Sequence, residues 1–283
     1  MNLIYCLLLL VLAAAVERAP IKISSCSDVS RYSKVTVVAA HPDDIETIAG
    51  GTIALFTNCG IKTSYIITTN GDKGWGKGYN MTSPVLAGIR EIEQIQAGAV
   101  LGVTNITFLH QGDGRLEGSD PIALKKNLTK WLRVYQPDLL LTFSPEIDYP
   151  SYKFGVMHTD HQVTGRVALS TVWPAVRDYL SFVDLFDEGY MPWIVPEVWL
   201  FVFSAVAPVG TPDIVTFNIC GQLFDQKYSA LLEHKSQYEN PLEVKESLTE
   251  LGAYVYHSFY SSEQTKSKSS CELSEAFQQI HIL

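Results

Sequence analysis

The residues of this chain best suited to chemistry fall in two short clusters, His41-Pro42-Asp43-Asp44 and His158-Thr159-Asp160-His161. In the first, the apolar run Val37-Val38-Ala39-Ala40 breaks off into a histidine and two adjacent carboxylates. His41 and Asp44 are three positions apart, so their side chains converge once the backbone begins to coil. An imidazole with a carboxylate suits Zn²⁺ or a neighbour in the divalent series. Asp43 is left over, and a carboxylate beside metal-activated water can take that water's proton near neutral pH. The plainer alternative is a helix N-terminus capped by Asp43, with His41 as a turn residue. The second cluster repeats the spacing with His158 and His161. Either can supply the third protein ligand of a catalytic zinc site, which keeps a position open for water. A His-x-x-His pair alone is more often a core or surface feature; the two clusters together are a far stronger signal.

The flanking residues say where the clusters sit. Residues 33–40 read as a buried strand and 47–58 as a helix, which puts His41, Asp43 and Asp44 on a strand-to-helix turn. The apolar run 138–144 precedes the second cluster, so both should leave the same C-terminal edge of a sheet. In all, strand-like runs at 35–40, 63–69, 105–110, 138–143 and 198–204 alternate with helical ones. This predicts an α/β fold of Rossmann-like type, a mostly parallel sheet with helices on both faces. The clearest helix covers 85–101, where Val85, Ile89, Ile92, Ile95 and Ala99 make one apolar stripe, expected in the core. No internal repeat appears, and no phosphate-binding glycine fingerprint follows the first strand, which argues against a nucleotide cofactor.

The net charge is −9, which disfavours nucleic acid as a partner and repels an anionic membrane surface. A neutral or cationic substrate fits better. The loop Gly71-Asp72-Lys73-Gly74-Trp75-Gly76-Lys77-Gly78-Tyr79 follows the second strand, and Trp75 and Tyr79 either line a sugar or serve the core. Tyr149, Tyr152 and Phe154 pose the same choice. His234 either touches the site or is a surface helical histidine, the safer reading and the one that also suits His257 and His281, and His110 reads as core or rim.

Residues 1–19 are expected to be a signal peptide, with an apolar run too short to span a bilayer comfortably, or an uncleaved anchor, since a basic start is lacking. Residues 20–257 should form a single α/β domain and 258–283 a polar, serine-rich tail. Cleavage would remove Cys6 and leave Cys26, Cys59, Cys220 and Cys271, consistent with up to two disulfides in an oxidising compartment. Sequons at Asn80, Asn105 and Asn127 agree with a secreted or secretory-pathway glycoprotein.

His41-Pro42-Asp43-Asp44, with Glu46 and Gly50-Gly51-Thr52, resembles the opening signature of the PIG-L/LmbE family of zinc-dependent N-deacetylases. His158-Thr159-Asp160-His161 is similar to its second signature, usually His-Pro-Asp-His. Asn70-Gly71-Asp72, Arg90 with Glu93, Leu101-Gly102, and Lys227 with His234, Ser236 and Gln237 resemble family positions in the same order, over roughly residues 35–240. The resemblance implies that His41, Asp44 and His161 hold Zn²⁺, that Asp43 is the general base, and that His158 steadies the oxyanion or protonates the leaving amine. Asp160 would orient His158, and Arg90 would contact substrate or pair with Glu93. Fe²⁺, Mn²⁺ and Co²⁺ also suit such a donor set. The implied substrate is an N-acetylglucosamine-containing sugar or glycoconjugate. The Asp-Asp-Ile-Glu form is that of bacterial-type members, Thr159 replaces the usual proline, and Val156-Met157 stands where some relatives have Tyr-Gly. Two alternatives stand beside this reading. One is the N-acetylglucosaminyl-phosphatidylinositol de-N-acetylase of GPI-anchor synthesis, at the endoplasmic reticulum membrane through an uncleaved N-terminal anchor. The other is a sugar-binding module without turnover.

Overall fold

The apolar runs that end in chemistry-bearing residues become neighbouring strands of one sheet. A computed structural model describes residues 20–74, 76, 81–145, 157–202, 214–260 and 271–282. In chain order the elements are β1 (Ile21–Ile23), α1 (Cys26–Val29), β2 (Lys34–Ala39), α2 (Asp44–Asn58), β3 (Lys62–Thr69), α3 (Ser83–Val100), β4 (Asn105–Gln111), α4 (Pro121–Tyr135) and β5 (Leu139–Thr142). They continue with α5 (Thr159–Ser170), α6 (Val183–Asp187), β6 (Glu197–Phe201), β7 (Ile214–Asn218), α7 (Gln222–Leu231), α8 (Pro241–Tyr260) and β8 (Ser274–His281). The eight strands lie in the order β1-β7-β8-β6-β5-β2-β3-β4. Pairing is parallel except along β8, which runs antiparallel to β6 and β7. From β2 the chain steps outward through β3 and β4, then returns to β5 on the other side of β2. The sheet therefore has its topological switch between β2 and β5, and open α/β sheets form their ligand crevice outside the carboxyl ends of such a pair.

Both faces of the sheet are covered, as parallel pairing requires. Val35, Val37 and Ala39 of β2 join one core with α2, α7 and α8, while Val38 joins a second core with Leu124, Leu128 and Leu132 of α4 and Val163 and Val167 of α5. Disulfides Cys26–Cys59 and Cys220–Cys271 tie α1 to the end of α2 and the end of β7 to the approach of β8. None of the described helices is long and apolar enough to cross a membrane.

Three expectations are corrected. The apolar stripe of α3 faces outward: Val85, Ile92 and Ile95 are 54%, 58% and 53% exposed, and the buried face carries Leu86, Arg90, Glu93, Gln94, Ala97 and Gly98. Residues 258–283 are not simply a polar tail, because they hold the end of α8 and all of β8. Glu275 can serve in that inner strand because its carboxylate is fully engaged. Glu275 accepts from Gly51 N, from Thr52 N and Oγ1, and from Lys227 Nζ at 2.6 Å. His234 is fully buried rather than on the surface, 3.3 Å from Glu46 Oε2. His110 is exposed and pairs with Glu91, and His257, exposed as expected, pairs with Glu272. The aromatic residues Trp75, Tyr79, Tyr149, Tyr152 and Phe154 and the sequon residue Asn80 lie outside the described residues.

Candidate active site

The first cluster leaves β2 on a turn whose backbone Asp44 itself fastens. Asp44 Oδ2 accepts the N–H of Ala40 at 3.1 Å and of His41 at 2.7 Å, so α2 starts at Asp44 with the carboxylate folded back over the strand end. The second cluster starts α5. His158 is its N-cap, with Nδ1 accepting the Asp160 N–H at 3.1 Å. A neutral imidazole whose Nδ1 accepts must carry its proton on Nε2. Helix α5 reaches the crevice because Gly165 lets it lie on the end of β5, where a Cβ would come within 2.3 Å of Phe143 O.

This brings His41, Asp44 and His161 together across 117 to 120 positions of sequence. His41 Nδ1 lies 3.2 Å from His161 Nε2, His161 Nε2 lies 3.0 Å from Asp44 Oδ1, and His41 Nδ1 lies 3.5 Å from Asp44 Oδ2. Bonds of about 2.0–2.1 Å to a tetrahedral Zn²⁺ set donor-to-donor edges of roughly 3.3–3.4 Å, so the three atoms already have the spacing of one coordination shell. The His161 ring stacks on Phe143, with centroids 4.1 Å apart and planes 8° from parallel. Four carboxylates, Asp43, Asp44, Asp113 and Asp160, crowd this crevice, with Arg90 paired to Asp43. Such an excess of negative charge is what a divalent ion neutralises.

The other nitrogen of His41 faces carboxylates. Nε2 is 3.3 Å from Asp113 Oδ1 and 3.4 Å from Asp160 Oδ2, an arrangement that places a proton on Nε2 and leaves Nδ1 to bind. Burial opposes charging His41, but Asp44, Asp113 and Asp160 outweigh it and hold its pKa well above the ordinary histidine value. Burial likewise pushes Asp44 up, and His161 and His41 reverse this to hold it well below the carboxylate range. Asp113 is drawn down to about 2 by its hydrogen bond to His41, against the opposing effect of burial. Asp160 thus faces His41 with its side chain and orients His158 through its backbone N–H. Its carboxylate is anchored by the N–H groups of Gly114 at 2.6 Å and Leu116 at 3.2 Å.

Asp43 sits beside this group in a left-handed backbone conformation, φ 101°. Its Oδ1 is 3.2 Å from Arg90 Nη2, and its Oδ2 accepts from Tyr238 Oη at 3.2 Å. Burial holds the Asp43 pKa above the carboxylate norm, against the pull of Arg90 and His234. Partial burial, then His41, holds His158 below the histidine norm, which favours its neutral form. Arg90 is 3% exposed and also donates to Pro42 O and to Gly71 O. It is thus a clamp on the Asp43 turn rather than a group directed at substrate. It does not pair with Glu93, whose carboxylate accepts from Ser236 N and Oγ.

Asp113, Gln94, Glu46 with His234, and Tyr238 complete the site and were not singled out as site residues from sequence. Asp113 had a local signal, a carboxylate in a Gly-Asp-Gly turn directly after a strand, and Glu46 and His234 stood among the positions of the family resemblance. The others lie on helices or beyond them and reach the site through packing alone.

Comparison with known proteins agrees with this geometry. Residues 36–172 match the PIG-L model, described as GlcNAc-PI de-N-acetylase. A probable N-acetyl-alpha-D-glucosaminyl L-malate deacetylase 2 of Bacillus anthracis is 31% identical over 206 residues, 72% of this chain and 81% of that protein. The N,N'-diacetylchitobiose deacetylase of Pyrococcus horikoshii superposes with a TM-score of 0.70 at 26% identity, covering 89% of this chain and 85% of that one. GalB, a 4-carboxy-2-hydroxymuconate hydratase of Pseudomonas putida KT2440, reaches a TM-score of 0.69 at 21% identity over 89% of this chain and 97% of its own, a likeness of fold alone. With both signature clusters meeting at the switch between β2 and β5, and a relative this similar over most of its length, the chain belongs to the PIG-L family.

Proposed function

We propose that this protein is a metal-dependent amide hydrolase that removes the acetyl group from an N-acetylglucosamine unit of a glycan, glycoconjugate or small glycoside. The observation that carries the reading is the convergence of His41, Asp44 and His161 at coordination-shell spacing, with the Asp43 carboxylate and a neutral His158 beside them. His41 Nδ1, His161 Nε2 and Asp44 would hold the metal, with zinc as the proposed ion. A divalent ion in such a site acidifies water and polarises a carbonyl. Asp43 takes the proton of the attacking water; its raised pKa makes it a stronger base than an ordinary aspartate. His158, protonated on Nε2, donates a hydrogen bond to the developing oxyanion or a proton to the departing amine. Arg90 and Tyr238 hold the two oxygens of Asp43. The sugar assignment is supported by the substrates named for the relatives above.

The proposed location is the secretory pathway or the exterior, with residues 1–19 as leader. Two disulfides and exposed sequon asparagines at Asn105 and Asn127 support an oxidising compartment. The same disulfides weigh against the GPI-precursor alternative, whose catalytic body would face the reducing cytosol.

Acetate release by the zinc-loaded protein from N-acetylglucosamine, its β-linked oligomers and N-acetylglucosaminyl-phosphatidylinositol is the test, with Asp43→Ala as control. Release from the soluble sugars that vanishes in the variant is expected. Preference for the phosphatidylinositol would favour the GPI enzyme, and binding of all three without release would favour the turnover-free module.

A further inference from the structure

Asp43, the residue assigned the proton transfer, has a backbone φ of 101°, a strained region that side-chain-bearing residues seldom occupy. Among the described residues only His110 and Gln136 share a positive φ without being glycine. Such a conformation persists only where its surroundings over-determine it. Three bonds do so here. The Asp43 C=O accepts from Thr47 N at 3.0 Å, the preceding Pro42 C=O accepts from Arg90, and the Asp43 N–H donates to Gln94 Oε1 at 3.0 Å.

Gln94 is fully buried, on the inward face of α3, one helical turn after Arg90. Its amide is fixed at the other end, where Nε2 donates to Glu46 Oε1 at 2.9 Å. Glu46 is in turn 3.3 Å from His234 Nε2 through its second oxygen, and neither Glu46 nor His234 is exposed to solvent. A glutamine amide is suited to this position because it accepts and donates from one planar group. An apolar side chain would leave the Asp43 N–H buried without a partner, and a glutamate would keep the acceptor while setting a second buried carboxylate against Glu46.

We propose that Gln94 is a positioning residue for catalysis, whose amide, braced by Glu46 and His234, locks the Asp43 turn in the left-handed conformation that aims its carboxylate at the reacting water. This rests on the assignment of Asp43 as the base. Without Gln94 the turn relaxes toward negative φ and the carboxylate shifts, and a displacement near 1 Å costs on the order of 100-fold in rate.

The test compares Gln94→Met and Gln94→Glu with the parent, all zinc-loaded, by acetate release from N,N'-diacetylchitobiose. Gln94→Met should lower kcat about 10- to 100-fold with KM changed less than about twofold and one metal per chain retained. Gln94→Glu, which keeps the acceptor, should retain more kcat than Gln94→Met although it melts lower. Activity that follows melting temperature instead would overturn the proposal. A crystal structure of Gln94→Met adds a readout that needs no substrate: Asp43 at negative φ is expected, and an unchanged φ sinks the idea. Full activity in Asp43→Ala would remove the base assignment itself, whereas loss in that variant with full activity in Gln94→Met would remove only the role of Gln94.

Discussion

Helices α3 and α4 lie in the same domain and fold by opposite rules. Helix α4 turns Leu124, Leu128 and Leu132 into the core and caps its start with Asp120, whose carboxylate accepts from Ile122 N and Ala123 N. Helix α3 carries an equally regular apolar stripe and turns it outward, burying Arg90, Glu93 and Gln94 instead. The difference lies in what each helix covers. The inner face of α4 packs its leucines on apolar side chains of the sheet, and its polar contacts, Arg133 to the carbonyls of Ala175, Val176, Asp178 and Tyr190 and Tyr135 to Thr107, fall in its last turn. That of α3 meets the Asp43 turn and the Ser236 segment, which present backbone N–H and C=O groups and a carboxylate. Buried polar groups must be paired, and pairing them decides the orientation of the helix against its own hydrophobic pattern.

The contrast predicts how substitutions divide between rate and stability. The largest effect is expected for Arg90→Met, which strips the guanidinium from Asp43 Oδ1 and from Pro42 O. It should lower kcat by about 100-fold and destabilise by about 3–5 kcal/mol through the uncompensated carboxylate. Steady-state kinetics and urea unfolding measure the two, and an unaltered kcat would contradict a catalytic face on α3. Leu128→Ala in α4 should cost about 2–5 kcal/mol and leave kcat of the folded protein unchanged within twofold. A fall in kcat there would erase the distinction between the helices.

A smaller effect should come from pH. Asp113 is held near 2 when folded and titrates near the ordinary aspartate value, about 4, when unfolded. A lowered carboxyl pKa stabilises the fold above the unfolded value, and that contribution disappears as pH falls from about 4 through about 2. The metal-free protein should therefore lose urea stability over this window, less steeply in Asp113→Asn; identical slopes would deny the Asp113–His41 contact. Smallest of all is Ile92→Ser on the outward stripe of α3, which should change stability by no more than about 0.5 kcal/mol. A cost of several kcal/mol would mean that the stripe is covered.

Much of the site was legible in the chain because its clusters are local. His41 with Asp44, and His158 with His161, are spaced so that the start of a helix brings each pair onto one side, and the preceding apolar runs locate both at strand ends. The alternation of strands and helices was readable for the same reason, with β2 to β6 near their expected places. Strands β1 and β7 are short, and β8 is polar, so periodicity carried no strand signal for them.

By itself, the sequence determined which residue types stand on which turns, the α/β alternation and the family, since these depend on spacings of a few residues that backbone geometry converts directly into shape. Only the tertiary structure decided the rest: that β8 lies inside the sheet, that α3 faces its stripe outward, and that Gln94 and Tyr238 reach Asp43 across 51 and 195 positions of chain. Those outcomes depend on how layers stack and which distant group satisfies a buried donor or charge, a balance of packing and desolvation that no local pattern records.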